Sequence, residues 1–129
     1  FQKQIEEGHK MGKKILIVDD QPGIRLLLRD VFSSQNYTVK MAETGQQAID
    51  LIYAEQFDLL ILDYHLPIMN GRDIIKQMRE NRINVPIILM SGLVENIDHS
   101  LIEGYLSVEV MAKPFNIHDI LAVAKKLLQ

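Results

Sequence analysis

The sequence predicts a doubly wound α/β fold, in which helices cover both faces of a five-stranded parallel sheet. Two observations predict this fold. Short apolar runs alternate with amphipathic stretches along the chain, and the apolar runs lack the period-2 pattern of half-exposed strands. Uniformly apolar strands are typical of parallel sheets that are buried on both faces. We expect the strand order 2-1-3-4-5, which is common for five strands, and five helices.

Each predicted strand is a short run of branched apolar residues bounded by polar residues. The five runs are Lys14 to Val18, Thr38 to Ala42, Leu59 to Leu62, Ile87 to Met90, and Val108 to Ala112. No internal repeat or low-complexity tract interrupts their alternation with helical stretches. The pattern therefore predicts one continuous sheet.

The helices follow from spacing and end signals. The predicted ranges are Pro22 to Gln35, about Gln46 to Glu55, about Gly71 to Asn81, a weak helix within Glu95 to Glu103, and a fifth after Asn116. In the first, apolar residues recur at helical spacing and Pro22 suits the first turn. These stripe residues are Ile24, Leu27, Leu28, Val31 and Phe32. Asn116 and Asp119 have the spacing of a capping box at the start of the fifth helix.

Length and composition indicate a single globular domain. The chain has 129 residues, of which 47% are hydrophobic and 24% are charged, close to the averages of globular domains. Its longest apolar run, Ile120 to Ala124, is far shorter than the roughly 20 residues that a membrane helix needs. Residues 1–10 lack the apolar core of a secretory signal. We treat them as a leader or an artificial extension, and we expect the domain to occupy 11–129 and the protein to be cytoplasmic.

Charge and cysteine content exclude several kinds of site. The 14 basic and 17 acidic residues give a net charge of −3, so the sequence has no basic footprint for direct binding of nucleic acid. The chain contains no cysteine, which excludes a disulfide framework, a thiolate zinc site and a cysteine nucleophile.

Polar side chains follow four of the five predicted strands. They are Asp19 and Asp20 after the first strand, Asp63 after the third, Ser91 after the fourth and Lys113 after the fifth. Taken alone, each of these is most often a turn residue or a helix cap. Their coincidence at four strand ends favours a site, because ligands of open parallel sheets bind beyond the carboxyl ends of the strands. The expected order places strands one and three side by side, which brings Asp20 and Asp63 together.

The residue types at these strand ends predict phosphoryl chemistry assisted by Mg²⁺. Three neighbouring carboxylates repel one another, and a divalent cation with oxygen ligands relieves that repulsion. Lys113 would add a fixed positive charge and Ser91 a hydroxyl donor, which together fit an incoming phosphoryl group. An aspartate can act as the nucleophile and carry the phosphoryl group as an acyl phosphate.

The chain resembles the receiver domain of two-component response regulators over Met11 to Gln129. Four motifs carry the resemblance: Lys14 to Asp20, Asp63 with Pro67 and Gly71, Ser91, and Lys113-Pro114-Phe115. Within the family, the stretch Ile15 to Phe32 is similar to the stand-alone receiver of the sporulation phosphorelay. The combination of motifs is more specific than any one of them.

The resemblance implies that Asp63 accepts a phosphoryl group from a histidine of a partner kinase or phosphotransfer protein. Asp20 and Asp63 would bind Mg²⁺, directly or through water assisted by Asp19, together with the backbone carbonyl of His65. The groups that would contact the phosphoryl oxygens are Ser91 and Lys113. We therefore expect a monomeric signalling protein, without direct nucleic-acid or membrane binding, whose only catalysis is self-catalysed phosphoryl acceptance and hydrolysis.

Some positions depart from the family pattern. Val110 stands where many receivers place the aromatic residue that swings inward on phosphorylation, so the usual aromatic switch is in doubt. Gly92 replaces the more common alanine, and Gly104 is displaced upstream of the usual glycine. His65 occupies a position that commonly tunes hydrolysis of the acyl phosphate. We expect an unusual structure between the fourth and fifth strands.

A partner surface is expected around Asp63, because in-line transfer requires the donor histidine to come within bonding distance of this residue. The expected surface is an apolar ring onto which a helical, histidine-bearing partner docks. Its predicted residues are Gln21, Pro22, Gly23, Ile24, Pro114 and Phe115.

Three alternatives stay open beside a stand-alone receiver, which we favour. A phosphatase that uses Asp63 as nucleophile would need a second aspartate two residues later, where His65 stands. An interaction module that has lost phosphorylation is a second alternative, although all the site residues are present. The third is a receiver cut from a larger DNA-binding regulator or hybrid kinase.

Overall fold

The computed structural model describes residues 12–103 and 107–129. The strands are β1 Lys14–Val18, β2 Thr38–Ala42, β3 Leu59–Asp63, β4 Ile87–Ser91 and β5 Val108–Ala112. The helices are α1 Pro22–Ser33, α2 Gly45–Ala54, α3 Gly71–Glu80, α4 His99–Ile102 and α5 Ile117–Leu127, with a 3₁₀ turn at Val94–Asn96. The expected leader at 1–10 and the displaced Gly104 lie outside the described residues.

The five strands form one parallel sheet in the order β2-β1-β3-β4-β5, which confirms the predicted topology. The order reverses between β1 and β3, where Val18 is in register with Leu62. Asp63 is in register with Met90, and Ser91 with Ala112. The carboxyl ends of β1, β3, β4 and β5 therefore end at one rim of the sheet.

Helices cover both faces of the sheet, because alternate residues of each buried strand point to opposite sides. The cluster beneath α1 and α5 contains Ile15, Ile17, Leu28, Phe32, Leu59, Ile61, Ile88, Met90, Ile120 and Ala124. The opposite cluster, beneath α2 and α3, includes Leu16, Val18, Ile49, Leu60, Leu62, Ile74, Ile75, Met78 and Leu89. Burying each large aliphatic side chain stabilises the fold by about 1.5–3 kcal/mol.

Burial is uneven across the sheet. Every residue of β3 and of β4 is buried. In the edge strand β5, the first four residues are half-buried and Ala112 is exposed. The two central strands that carry Asp63 and Ser91 are thus packed on both faces, whereas the strand that leads to Lys113 is not.

The prediction of five helices is confirmed only in part. Four of the helices have ten or more residues, but the fourth position holds the 3₁₀ turn and the four-residue α4. The Asp98 side chain accepts a hydrogen bond from the Ser100 N–H and caps this single turn. The weak apolar periodicity between Glu95 and Glu103 agrees with so short a helix.

The burial of the α1 stripe differs from the prediction, and α3 has a cap that was not predicted. Leu28 and Phe32 of the predicted α1 stripe are fully buried, whereas Leu27 is 40% exposed. A full capping box between Asn70 and Asp73 opens α3, and Asn116 caps α5 as predicted.

Among the described residues, no helix is long and apolar enough to cross a membrane.

Candidate functional site

Three carboxylates meet at the rim where the strand order reverses. Asp19 and Asp20 follow β1, and Asp63 is the last residue of β3. One oxygen from each lies within 4.8 Å of the others. Asp19 and Asp63 are buried and Asp20 is exposed, so the cluster opens to solvent on one side.

Lys113 supplies a positive charge to this cluster. Its Nζ lies 2.7 Å from Asp19 Oδ2 and 3.4 Å from Asp63 Oδ2. The Lys113 N–H donates to the Ser91 backbone oxygen at 2.8 Å, which holds the start of the β5–α5 loop against the end of β4. The peptide bond between Lys113 and Pro114 is cis.

The pKa values of Asp19 and Lys113 are both raised, for different reasons. Burial raises the pKa of Asp19 and the nearby Asp63 raises it further, outweighing the hydrogen bonds from Lys113 and the Gln21 N–H that lower it. Burial by itself would lower the pKa of Lys113, but its hydrogen bond to Asp19 and the charges of Asp19 and Asp63 outweigh that effect and raise it. Both groups therefore hold protons more tightly than usual, Asp19 chiefly because it is buried and Lys113 because carboxylates surround it.

The donor set fits a hard divalent cation. All three side chains of the cluster offer carboxylate oxygens, and the exposed Asp20 leaves room for water ligands, as Mg²⁺ requires. The His65 N–H donates to Asp63 Oδ1 at 3.0 Å, so the backbone of His65 lies beside the cluster. A divalent cation here would supply the positive charge that Lys113 alone does not.

Ser91 lies at the end of β4, and its hydroxyl is already engaged. The side chain is fully buried, and its Oγ accepts a hydrogen bond from the Leu93 N–H at 3.0 Å. His65 Nε2 lies 2.8 Å from the same oxygen. From the sequence, His65 is expected to offer a backbone carbonyl to the metal and to occupy a position that commonly tunes hydrolysis, but this side-chain contact was missed. Both residues lie at the ends of neighbouring strands, at the same rim.

Arg25 is a second residue that sequence reasoning missed. Its Nη1 donates to the Asp19 backbone oxygen at 2.8 Å, and its Nη2 lies 3.4 Å from Glu43 Oε2. The guanidinium thus joins the β1–α1 turn to the β2–α2 loop. No sequence signal indicated this contact, because it depends on how α1 packs beside β2.

The predicted partner surface adjoins the acidic cluster. A cavity of about 470 Å³ is lined by Gln21, Ile24, Leu27, Lys113, Pro114 and Phe115. The structure therefore brings four of the six predicted surface residues together. Pro22 and Gly23 are exposed at the start of α1 but do not line this cavity, and Leu27 was not predicted to belong to it.

Val110 is the residue that departs from the aromatic residue of the family pattern. It is half-buried in β5, in register with Leu89, and it packs against the cluster beneath α2 and α3. A short branched side chain at this place has no ring to swing between an outward and an inward position.

Comparisons with known proteins agree with this geometry. The family model described as "Response regulator receiver domain" matches residues 15–125. The chain is 42% identical over 120 residues to sporulation initiation phosphotransferase F of Bacillus subtilis, covering 92% of this chain and 95% of that protein. It is 33% identical over 119 residues to the alkaline phosphatase synthesis transcriptional regulatory protein PhoP of the same organism, covering 92% of this chain but only 50% of that protein.

Solved structures show the same fold. The response regulator protein TrrA from Thermotoga maritima, in complex with Mg(2+)-BeF, superimposes with a TM-score of 0.73 at 30% identity, covering 90% of this chain and 99% of that chain. Family match, relatives and fold agree over the same residues that carry the acidic cluster. The chain belongs to the response regulator receiver domain family.

Proposed function

We propose that Asp63 is the phosphoryl acceptor of a phosphorelay intermediate, taking the group from a phosphohistidine of a kinase or phosphotransfer protein. Receiver domains are signalling modules of two-component and phosphorelay systems, and the acidic pocket of this chain fits phosphorylation of an aspartate. The observation that supports the choice of Asp63 is its position. It ends a fully buried strand, within 4.8 Å of two other carboxylates and 3.4 Å from the Lys113 ammonium.

Phosphoryl transfer to Asp63 would be a direct displacement at phosphorus. A carboxylate oxygen of Asp63 attacks the phosphorus and forms the new O–P bond, while the P–N bond of the phosphohistidine breaks and its electron pair returns to the imidazole nitrogen. The His65 N–H holds Asp63 Oδ1, and Lys113 lies beside Oδ2, so the attacking group is fixed before the donor arrives. Lys113 also offsets charge that develops on the transferring phosphoryl group.

Asp20 and Asp63 would hold Mg²⁺, directly or through water assisted by Asp19, together with the backbone carbonyl of His65. When bound, the ion neutralises the phosphoryl oxygens and the carboxylates that would otherwise repel them. Ser91 would contribute its hydroxyl to the bound phosphoryl group, and this role requires the hydroxyl to turn toward Asp63.

The partner would dock on the apolar cavity that adjoins Lys113. Ile24 and Leu27 present a partly exposed apolar surface from α1, and Phe115 faces it from the β5–α5 loop. A helix that carries the donor histidine needs such a surface next to Asp63, because the reacting atoms must come within about 3–3.5 Å of each other. Pro22 and Gly23 would form the outer edge of the same surface.

The assignment is tested with a small phosphodonor. Incubation with acetyl phosphate and Mg²⁺ should add one phosphoryl group to the intact protein, as measured by mass spectrometry. EDTA or Asp63→Asn should abolish the addition, whereas Asp58→Asn, an aspartate at the opposite end of β3, should keep it. Full labelling of the Asp63→Asn variant would show that another residue is the acceptor.

The docking surface is tested by comparing two phosphodonors. Ile24→Ala should slow transfer from a phosphorylated histidine partner at least several-fold, while labelling by acetyl phosphate stays nearly unchanged. The melting temperature should fall slightly, because Ile24 also packs against the cluster beneath α1 and α5. An equal loss with both donors would place the docking surface elsewhere.

A second candidate is a receiver that controls an output domain. The chain spans about half the length of three of the curated relatives it matches, which are larger regulators. The two candidates differ in the fate of the phosphoryl group. A relay intermediate passes it from Asp63 to the histidine of a second phosphotransfer protein, and radiolabel should appear there within minutes; the receiver of a larger regulator retains the label.

A further inference from the structure

The side chain of His65 makes a contact that the phosphorylation site does not need. His65 Nε2 lies 2.8 Å from Ser91 Oγ, although Ser91 already accepts the Leu93 N–H. The His65 ring also packs edge-on against Tyr64, with ring centroids 5.1 Å apart. An exposed histidine is thus held over a fully buried hydroxyl.

This contact restricts the hydroxyl of Ser91. A serine oxygen has two acceptor positions and one proton, and Leu93 occupies one of the acceptor positions. The restriction belongs to the tautomer whose Nε2 carries no proton: Nε2 then accepts the Ser91 hydroxyl proton, and the imidazole fixes the rotation of the hydroxyl. The same hydroxyl cannot simultaneously turn toward a phosphoryl group on Asp63.

We propose that the His65 side chain is a positioning residue that holds Ser91 in the unphosphorylated arrangement, so that phosphorylation must break the His65–Ser91 hydrogen bond before Ser91 can engage. This inference rests on the proposed role of Asp63 as acceptor. The two states differ in one bond: Ser91 Oγ is paired with His65 in one and directed at the phosphoryl group in the other. His65 therefore sets how readily the phosphorylated arrangement forms.

The size of the effect follows from the hydrogen bond that is lost. A typical internal hydrogen bond corresponds to roughly a threefold to tenfold change in an equilibrium constant. Removing the imidazole should raise the affinity for a phosphoryl mimic by about that factor, because the mimic then no longer competes with His65 for Ser91.

A double-mutant cycle tests the inference. The apparent dissociation constant of beryllofluoride, measured at saturating Mg²⁺ by titration of backbone amide NMR shifts, should fall roughly threefold to tenfold in His65→Ala. His65→Gln, whose amide reaches the position of Nε2, should restore a value within about twofold of the parent. In the Ser91→Ala background, His65→Ala should change the constant by less than about twofold, since the bond is already absent.

Controls separate this inference from its basis. His118→Ala removes an exposed histidine from the start of α5 and should leave the beryllofluoride constant unchanged. An unchanged or weakened affinity in His65→Ala would overturn the positioning role, and so would an equal gain in the Ser91→Ala background. Failure of the parent to bind beryllofluoride, or to be labelled at Asp63 by acetyl phosphate, would contradict the proposed function instead.

Discussion

At the scale of single residues, the decisive feature is a lysine between two buried carboxylates. Lys113 lies 2.7 Å from Asp19, which is fully buried, and 3.4 Å from Asp63. Removing one partner of a buried ion pair leaves the other without compensation, which costs more than the pair contributes when intact. We therefore expect Lys113 to contribute to stability as well as to its proposed role in the response to phosphorylation.

Lys113→Met should lower the free energy of unfolding in metal-free buffer by about 1–3 kcal/mol, as measured by urea denaturation. The affinity for Mg²⁺ should be retained or improved, because Lys113 is not a ligand and its charge opposes the cation. The spectral response to beryllofluoride should be weakened. Lys126→Met is the matched control, because Lys126 pairs with Glu109 on the exposed surface, and its loss should cost less than about 1 kcal/mol. Equal losses in the two variants would contradict the buried-pair argument.

Residues that follow apolar strands could be predicted, whereas contacts between long side chains could not. Asp63, Ser91 and Lys113 were found because parallel strands end at a common rim, which is a property of the backbone. The contacts of His65 and Arg25 depend on side-chain rotamers and on helix packing, and neither leaves a pattern in the sequence.

At the scale of elements, α3 begins in direct contact with the loop that follows β3. A Cβ at Gly71 would lie 2.9 Å from Tyr64 Cα and 3.1 Å from the Asp63 backbone oxygen. The Gly71 N–H donates to the Tyr64 oxygen at 3.0 Å and draws the two segments together. The segment that follows Asp63 can therefore lie against the start of α3 only because Gly71 has no side chain.

Gly71→Ala should destabilise the protein by about 1–3 kcal/mol in urea denaturation, because backbone atoms must move to admit the methyl group. It should also slow labelling by acetyl phosphate, since the methyl group would press on the backbone oxygen of Asp63. Gly23→Ala gives the contrast: a Cβ there meets nothing within 4 Å, and alanine should stabilise α1 by up to about 1 kcal/mol. A neutral Gly71→Ala would show that the loop has room to relax.

Glu55 joins three elements at the opposite end of the sheet. Its carboxylate, just after α2, is paired with Lys14 of β1 and Lys40 of β2. The hydrogen bonds from Lys14 and Lys40 lower the pKa of Glu55 below its usual value of 4.5. A lowered folded-state pKa means that the pairing stabilises the protein above pH 4.5, and that this stabilisation is lost as the pH falls through the folded-state value.

The melting temperature of Glu55→Gln should therefore lie below that of the parent at pH 7, and the difference should disappear in strongly acidic buffer. Added salt should shrink the difference at pH 7, because the pairs are partly exposed. Glu80→Gln, at the exposed end of α3, should show a smaller difference than Glu55→Gln at pH 7. A gap that persists in acid would mean that Glu55 acts through packing instead of charge.

Among the secondary-structure elements, the strands could be predicted from the sequence, whereas the length of α4 could not. The five strands could be predicted from local apolar runs, and their order from the arrangement that is common for five parallel strands. The length of α4 could not be predicted, because the segment from Glu95 to Glu103 has too few apolar residues at helical spacing to place its ends.

At the scale of the whole molecule, the acidic cluster links folding to cation binding. A ligand that binds only the folded state stabilises it by RT ln(1 + [L]/Kd), about 2.7 kcal/mol at one hundred times the dissociation constant. The site places three carboxylates beside one lysine ammonium, and a divalent cation would reduce the repulsion between the carboxylates.

The melting temperature should accordingly rise by several degrees with increasing Mg²⁺, in proportion to the logarithm of its concentration above the dissociation constant. Asp20→Asn should suppress most of this rise by removing an exposed ligand of the cluster. NaCl at matched ionic strength is the control, because general screening would act on parent and variant alike. An equal rise with NaCl in the parent would argue against a specific cation site.

The uneven burial of the sheet has a mechanical consequence. Asp63 and Ser91 end central strands whose residues are all buried, while Lys113 follows an edge strand that is only half-buried. We therefore expect a phosphoryl mimic at the site to displace β5 and the loop beyond it more than β3 or β4. Amide hydrogen exchange should record this gradient as slow exchange in β3 and β4 and faster exchange in β5, with the largest change on addition of beryllofluoride confined to the edge.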